Sequence, residues 1–197
     1  LRLQARRIES DRGREALEEA VRRVGSIAIV HETLSQNLDE RVEFDEIADR
    51  VLAVVAEVSP GKVTGRRTGR FGILHAEVAT PLSMVLTEVL QNALEHGFRD
   101  GDTGTVEVSA VRGGTTKEAR LLVTVQDDGV GLPAGWSLEE TPGVGLRNVA
   151  ARLEHLYGRA DLLRITANPL GGVDVVIDLP LRRGGQPATT PRAGAHA

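Results

Sequence analysis

The chain has 197 residues, of which 41% are hydrophobic and 26% charged, with a formal net charge of −4 and no cysteine. That balance suits a folded globular chain with room for one full-sized core and a smaller appendage. It excludes disulfides, cysteine zinc sites and thiol catalysis, and supplies no general attraction to nucleic acid or anionic lipid. No apolar run approaches the roughly 18–20 residues of a bilayer span, and no signal-peptide pattern opens the chain. The expectation is a cytoplasmic piece without membrane contact. Because it opens at Leu1 inside a helical pattern, "LRLQARRIES", it is expected to be part of a longer protein.

From Leu17, the residues Leu17, Ala20, Val24, Ile27, His31, Leu34 and Leu38 recur at alternating steps of three and four, the seam of a helix packed along a partner. With the shorter helical piece before "ESDRGRE", residues 1–38 read as a truncated helical hairpin that would bury its seam by homodimerising into a four-helix bundle. A second domain is expected over 39–182. It opens with a helix over Phe44–Val58, followed by strand-like stretches around the glycines of "KVTGRRTGRFGILHAEVA".

"TPLSMVLTEVLQNALEHGF" is the most helical segment, with Thr80 placed as N-cap, Pro81 in the first turn and Gly97 at the stop. Strands are expected over Gly104–Val111 and Ala119–Val125. A glycine turn follows, then a helix from Val144 to Tyr157, and strands at Leu162–Ala167 and Val173–Leu179 around "NPLGG". Residues 183–197, rich in Gly, Pro, Ala and Thr, read as a disordered tail. Helices and strands mix without strict βαβ alternation. This predicts an α/β fold, a two-layer sandwich with helices on one face of a mixed sheet.

On the helix beginning near Leu82, the positions Leu82, Val85, Leu86, Val89, Leu90, Ala93 and Leu94 make one apolar face. Glu88, Asn92 and His96 form a stripe along its border, placed to be half buried. An asparagine carbonyl there suits Mg²⁺, and a carboxylate one turn earlier can hold a metal-bound water or accept a proton. Taken alone, the stripe reads more readily as a solvated helix face.

In "VTVQDDGVGLP", Asp127 ends an apolar strand and can accept a hydrogen bond from an exocyclic amine, while Gly129 and Gly131 let backbone approach a flat ring. The same residues also fit a two-residue hairpin turn. In "TPGVGLRNVAARL" a second glycine pair opens a helix whose first amides favour an anion. Each signal is ambiguous alone, but the three in this order and spacing are far less expected by chance. A dinucleotide-binding Rossmann site does not fit, since no G-x-G-x-x-G follows a first strand.

"LTEVLQNALEHGF", "VQDDGVGLP" and "TPGVGLRNV" resemble the N, G1 and G2 boxes of the Bergerat-type (GHKL) ATP-binding domain shared by sensor histidine kinases, Hsp90-type chaperones, type II topoisomerases and mismatch-repair MutL proteins. "GGVDVVIDLP" resembles the last strand of the kinase branch. Residues 1–36 resemble the dimerisation hairpin of the two-component kinases whose receiving histidine lies in an H-R-x-x-N-N segment upstream of "LxLQAR".

The resemblance implies ATP and Mg²⁺ as cofactors and a response-regulator receiver domain as downstream partner. It implies that Asn92 coordinates Mg²⁺, Glu88 orients a metal-bound water or the nucleophile, and Asp127 bonds the adenine amine. Gly129 and Gly131 would then border the base, while Gly143, Gly145 and the amides into Leu146 approach the phosphates, with Arg147 as the nearest cation. Where many relatives carry lysine three residues after the N-box asparagine, this chain has Glu95, which leaves His96 either as the substitute phosphate contact or in a helix-end role near Gly97.

The implied reaction is in-line attack by a neutral imidazole on the γ-phosphate. His31, on the seam and followed by Glu32, resembles the His-Glu pair of another kinase subgroup, but reads as a core histidine. The acceptor is therefore expected upstream of Leu1, leaving this piece unable to phosphorylate itself. His75, His155 and His196 carry no pattern of their own. The competing readings are an ATPase or serine kinase of the same fold, such as an anti-sigma factor, and a degenerate nucleotide-sensing or dimerisation module.

Overall fold

The computed structural model describes residues 41–58, 62–99, 101–115, 118–139, 145–169 and 171–181. The expected hairpin over 1–38, with His31, and the tail over 183–197, with His196, lie outside the described residues. The elements in chain order are β1 (Arg41–Glu43), α1 (Phe44–Val58), β2 (Val63–Gly69), β3 (Ile73–His75) and α2 (Ala76–Asn92). A π-helical turn, Ala93–Gly97, continues α2, followed by β4 (Gly104–Gly113), β5 (Arg120–Asp127), α3 (Gly145–Tyr157), β6 (Leu163–Ala167) and β7 (Val173–Pro180).

Five strands form one mixed sheet in the order β2-β4-β5-β7-β6, with β2 parallel to β4 and the remaining pairs antiparallel. Strands β1 and β3 pair separately. Alternation puts Val106, Val108 and Ala110 of β4, Leu121, Val123 and Val125 of β5, and Val175, Ile177 and Leu179 of β7 on one buried face. There they share a single core with Phe44, Ile47 and Val51 of α1, the apolar face of α2, and Val149 and Leu153 of α3. The two-layer sandwich read from the sequence is the fold observed. Of the apolar positions read on α2, Leu82, Val85, Leu86, Val89, Leu90 and Ala93 are buried and Leu94 is packed against the core.

The start of α2 differs from expectation. It begins at Ala76, so Thr80 is not its cap and Pro81 lies inside it; His75 stands at the N-cap position and makes no side-chain capping bond. Burial outweighs the local signal here: Ala79 and Leu82 are buried and Val78 packs on the core, which holds the extra turn in place despite the missing Pro81 amide. The loop between β2 and β3 is anchored by Asp45, in the first turn of α1. Its carboxylate accepts the Phe71 and Gly72 amides at 3.1 and 2.8 Å and the Arg67 guanidinium at 2.7 Å. Although burial pushes the Asp45 pKa upward, the Gly72 and Phe71 amides and Arg67 outweigh it and hold the pKa below the ordinary aspartate value.

Candidate functional site

Asp127 is the last residue of β5 and continues the inward series Leu121, Val123 and Val125. The period of two therefore carries a carboxylate onto the helix-covered face, where it is 5% exposed. Its Oδ1 accepts the Gly129 amide at 3.0 Å, and the Val173 amide, at the start of β7, also donates to the carboxylate. Burial raises its pKa; the Gly129 and Val173 amides offset part of the rise, and the Asp128 and Asp174 charges add to it. A buried, perturbed carboxylate at a strand tip marks a functional position more readily than a structural one. The neighbouring Asp128 is structural, because its Oδ1 accepts the Thr105 amide at 2.7 Å and so ties the turn to β4.

The Asp-Gly pair does not make a hairpin. Strand β5 pairs with β4 and β7, and the chain reaches β7 only through α3 and β6. The turn instead packs against the end of α2. The Gly97 carbonyl accepts the Val130 amide at 2.8 Å, and a β-carbon added to Gly97 would stand 3.3 Å from Asp127 Oδ1. A β-carbon on Gly129 would come within 2.9 Å of the same oxygen and 2.6 Å of the Gly97 carbonyl carbon. The helix carrying Glu88 and Asn92 and the turn carrying Asp127 thus meet backbone to backbone on one side of the sheet.

Asn92 ends α2 and is half-buried. Its Nδ2 donates to the Glu88 carbonyl at 2.6 Å, which commits the amide nitrogen and leaves the carbonyl oxygen as a hard donor. Glu88, one turn back, lays its carboxylate against Gly145, the first residue of α3. A β-carbon on Gly145 would come within 2.7 Å of Glu88 Cδ and 3.2 Å of Cγ. Negative charge at a helix N-terminus is favourable, so the Glu88 carboxylate is well placed there.

Gly131 has φ 76°, and a β-carbon there would lie 3.3 Å from the Gly172 carbonyl. Leu146 packs partly buried against the core and Arg147 is half-buried on the first turn of α3. His96 lies exposed on the π-helical turn, with Glu95 beside it bonded by Gln91 Nε2 at 2.9 Å. Gly143 lies outside the described residues. Two contributors escape the sequence reading. Gly97 acts through its carbonyl and its missing side chain, and the Gly171–Gly172 turn delivers the Val173 amide; only the paired glycines of "NPLGG" hinted at the second.

Residues 77–183 match the model of the family described as histidine kinase-, DNA gyrase B-, and HSP90-like ATPase. The chain belongs to this family. Residues 1–58 match a second model, described as histidine kinase. The chain is 45% identical over 192 residues to the sensor histidine kinase PdtaS of Mycolicibacterium smegmatis, covering 93% of this chain and 36% of that protein. Its counterpart in Mycobacterium tuberculosis is 43% identical over 194 residues, with 94% and 36% covered. The chain therefore spans about a third of the length of these relatives.

Among solved structures, the histidine kinase domain of the EL346 blue-light activated histidine kinase from Erythrobacter litoralis superposes with a TM-score of 0.67 at 24% identity, covering 82% of this chain and 74% of that one. The ATP-binding domain of PrrB from Mycobacterium tuberculosis gives 0.56 at 24% identity, covering 75% and 100%. Both show the fold.

Proposed function

We propose that this chain is the nucleotide-binding and phosphoryl-transfer part of a sensor histidine kinase, taking ATP with Mg²⁺. The observation that carries the reading is the meeting of the α2 end with the Asp127 turn. It sets a buried, amide-held carboxylate and the Glu88–Asn92 pair on one side of the sheet. A buried carboxylate acceptor fits the exocyclic amine of adenine, and the glycines around it remove the side chains that would fill the ring's place.

Among the described residues no group of three His, Cys, Asp or Glu is arranged to hold a metal. That suits Mg²⁺, which takes one or two protein oxygens and completes its shell with water and phosphate. Asn92 Oδ1 is the protein ligand in this reading. ATP, when bound, supplies the γ-phosphoryl group that moves to an imidazole nitrogen. Glu88 orients the nucleophile or accepts its proton, and the first amides of α3, from Gly145 into Leu146, face the phosphates, with Arg147 as the adjacent cation. In the parent protein the accepted phosphoryl passes to a response-regulator aspartate, and the protein works as a homodimer.

Calorimetric titration with Mg-ATP tests the binding half: the chain binds, and Asp127→Ala weakens affinity by about 10–100-fold, the value of a hydrogen bond to a charged group. The transfer half is tested in the parent protein with γ-labelled ATP. Acid-labile label on histidine, lost in Asn92→Ala, is the expected result. Acid-stable label on serine, or release of phosphate to water with no labelled protein, would overturn it.

A further inference from the structure

Gly172 has φ 79° and is buried at the entrance to β7. A β-carbon there would stand 2.6 Å from the Asp127 carbonyl carbon and 2.7 Å from Asp127 Oδ1, closer than any real side chain tolerates. From the other side, a β-carbon on Gly97 would stand 3.3 Å from the same oxygen and 3.5 Å from Cγ. The two glycines come from the end of α2 and the turn before β7, far apart in sequence, and close on one carboxylate. The residue after Gly172 is Val173, whose amide donates to that carboxylate. The left-handed backbone by itself calls for glycine at Gly172, though not for so close an approach to Asp127, and no turn calls for glycine at Gly97. Gly97 has no positive φ, and a β-carbon on Gly171, which shares the left-handed turn at φ 106°, would meet only the Gly129 carbonyl, at 3.7 Å.

We infer that Gly97 and Gly172 form a side-chain-free slot that aims the Asp127 carboxylate at the base, making both positioning residues for purine recognition. The inference rests on the nucleotide reading above and deepens it. Any side chain at Gly172 would overlap the Asp127 carbonyl oxygen first and the carboxylate next, so it must shift the tip of β5 and carry the carboxylate out of line with the ring's amine. A methyl at Gly97 demands a displacement of only a few tenths of an ångström, so its effect is smaller.

The test compares affinity for Mg-ATP with affinity for Mg-purine riboside triphosphate, which lacks the exocyclic amine. In the wild-type chain the ratio is expected at about 10–100 in favour of ATP. Gly172→Ala should bring it to about one while the phosphate contacts persist, and Gly97→Ala should lower it several-fold; both estimates follow from loss or misalignment of that hydrogen bond. Gly171→Ala carries the same left-handed strain in the same turn without touching Asp127, and should keep the wild-type ratio even where it lowers the melting temperature. If Gly171→Ala and Gly172→Ala change the ratio alike, or if Gly172→Ala discriminates like wild type, the slot is only a turn and the inference falls. Should Gly172→Ala fail to fold, an unchanged ratio in Gly97→Ala overturns it, and a reduced one supports it. A wild-type chain that binds neither triphosphate removes the nucleotide reading itself, whereas one that binds both equally removes the Asp127–amine contact and the slot with it.

Discussion

Asp127 and Asp45 show the same side chain doing opposite work, and the difference is electrostatic environment. Asp45 is met by two amides and an arginine, and its pKa is lowered; Asp127 is met by two amides inside the core beside two other aspartates, and its pKa is raised. The signs of their pH dependence follow. The stability contributed by Asp45 is present above the ordinary aspartate pKa and is lost as pH falls through its lowered value, below about pH 4. For Asp127 the native state takes up the proton more readily than the unfolded chain. Its buried charge therefore costs stability above the raised pKa, and the cost disappears as pH falls through it.

ATP affinity should run the other way, because only the ionised form is a full acceptor. Calorimetry at falling pH is expected to show affinity weakening at a higher pH than an ordinary aspartate would give, a loss that Asp127→Ala, already weak, does not share. A single aspartate next to glycine is legible in the sequence as a candidate, but its burial is not: whether the strand's inward face reaches Asp127 depends on where the strand ends.

At the scale of elements, the contact between α2 and α3 passes through Glu88 and Gly145. Since the obstructing atoms are the far end of a flexible side chain, Gly145→Ala should fold with a melting temperature close to wild type while displacing the Glu88 carboxylate. Phosphoryl transfer in the parent protein is then expected to fall about as far in Gly145→Ala as in Glu88→Ala. The double variant should be no worse than either single one, a non-additivity that residues acting as one unit show.

A second element-level contact, Asp45 to the loop before β3, predicts a loss of about 2 kcal/mol in urea unfolding for Asp45→Ala, where two amides and a cation lose a charged partner. The apolar stripe of α2 and the strands β4 and β5 were readable because periodicity is a local property of the chain. The start of α2 was not. Thr80 and Pro81 are good initiation signals, and only packing of the turn before them against the core decides against them.

For the whole molecule, stability rests on one continuous core between the sheet and its helices. Leu121, fully buried on the central strand β5, is expected to cost about 2–5 kcal/mol when truncated to alanine, a large share of the roughly 5–15 kcal/mol typical of a domain. A single cooperative unfolding transition shifted to lower denaturant, with unchanged slope, would be the measured sign. The alternation of β5 and β7 and the amphipathic face of α2 announced a sheet with helices on one side, and the three glycine-bearing motifs announced a nucleotide site of this family.

What the sequence determined by itself is therefore most of the helices and strands from Phe44 onward, though not β1 or the start of α2, together with their apolar faces and Glu88, Asn92 and Asp127 as polar candidates, since these follow from residue type and spacing along the chain. What only the tertiary structure decided is which distant backbones close on Asp127. Beside the local Gly129 amide, Gly97 arrives from the end of α2 and the Val173 amide from the start of β7, the latter placed by the register of β5 against β7, with Gln126 opposite Asp174. Such contacts are made by main-chain groups and missing side chains, which leave no periodicity to read, so their meeting is a property of the packed sheet alone.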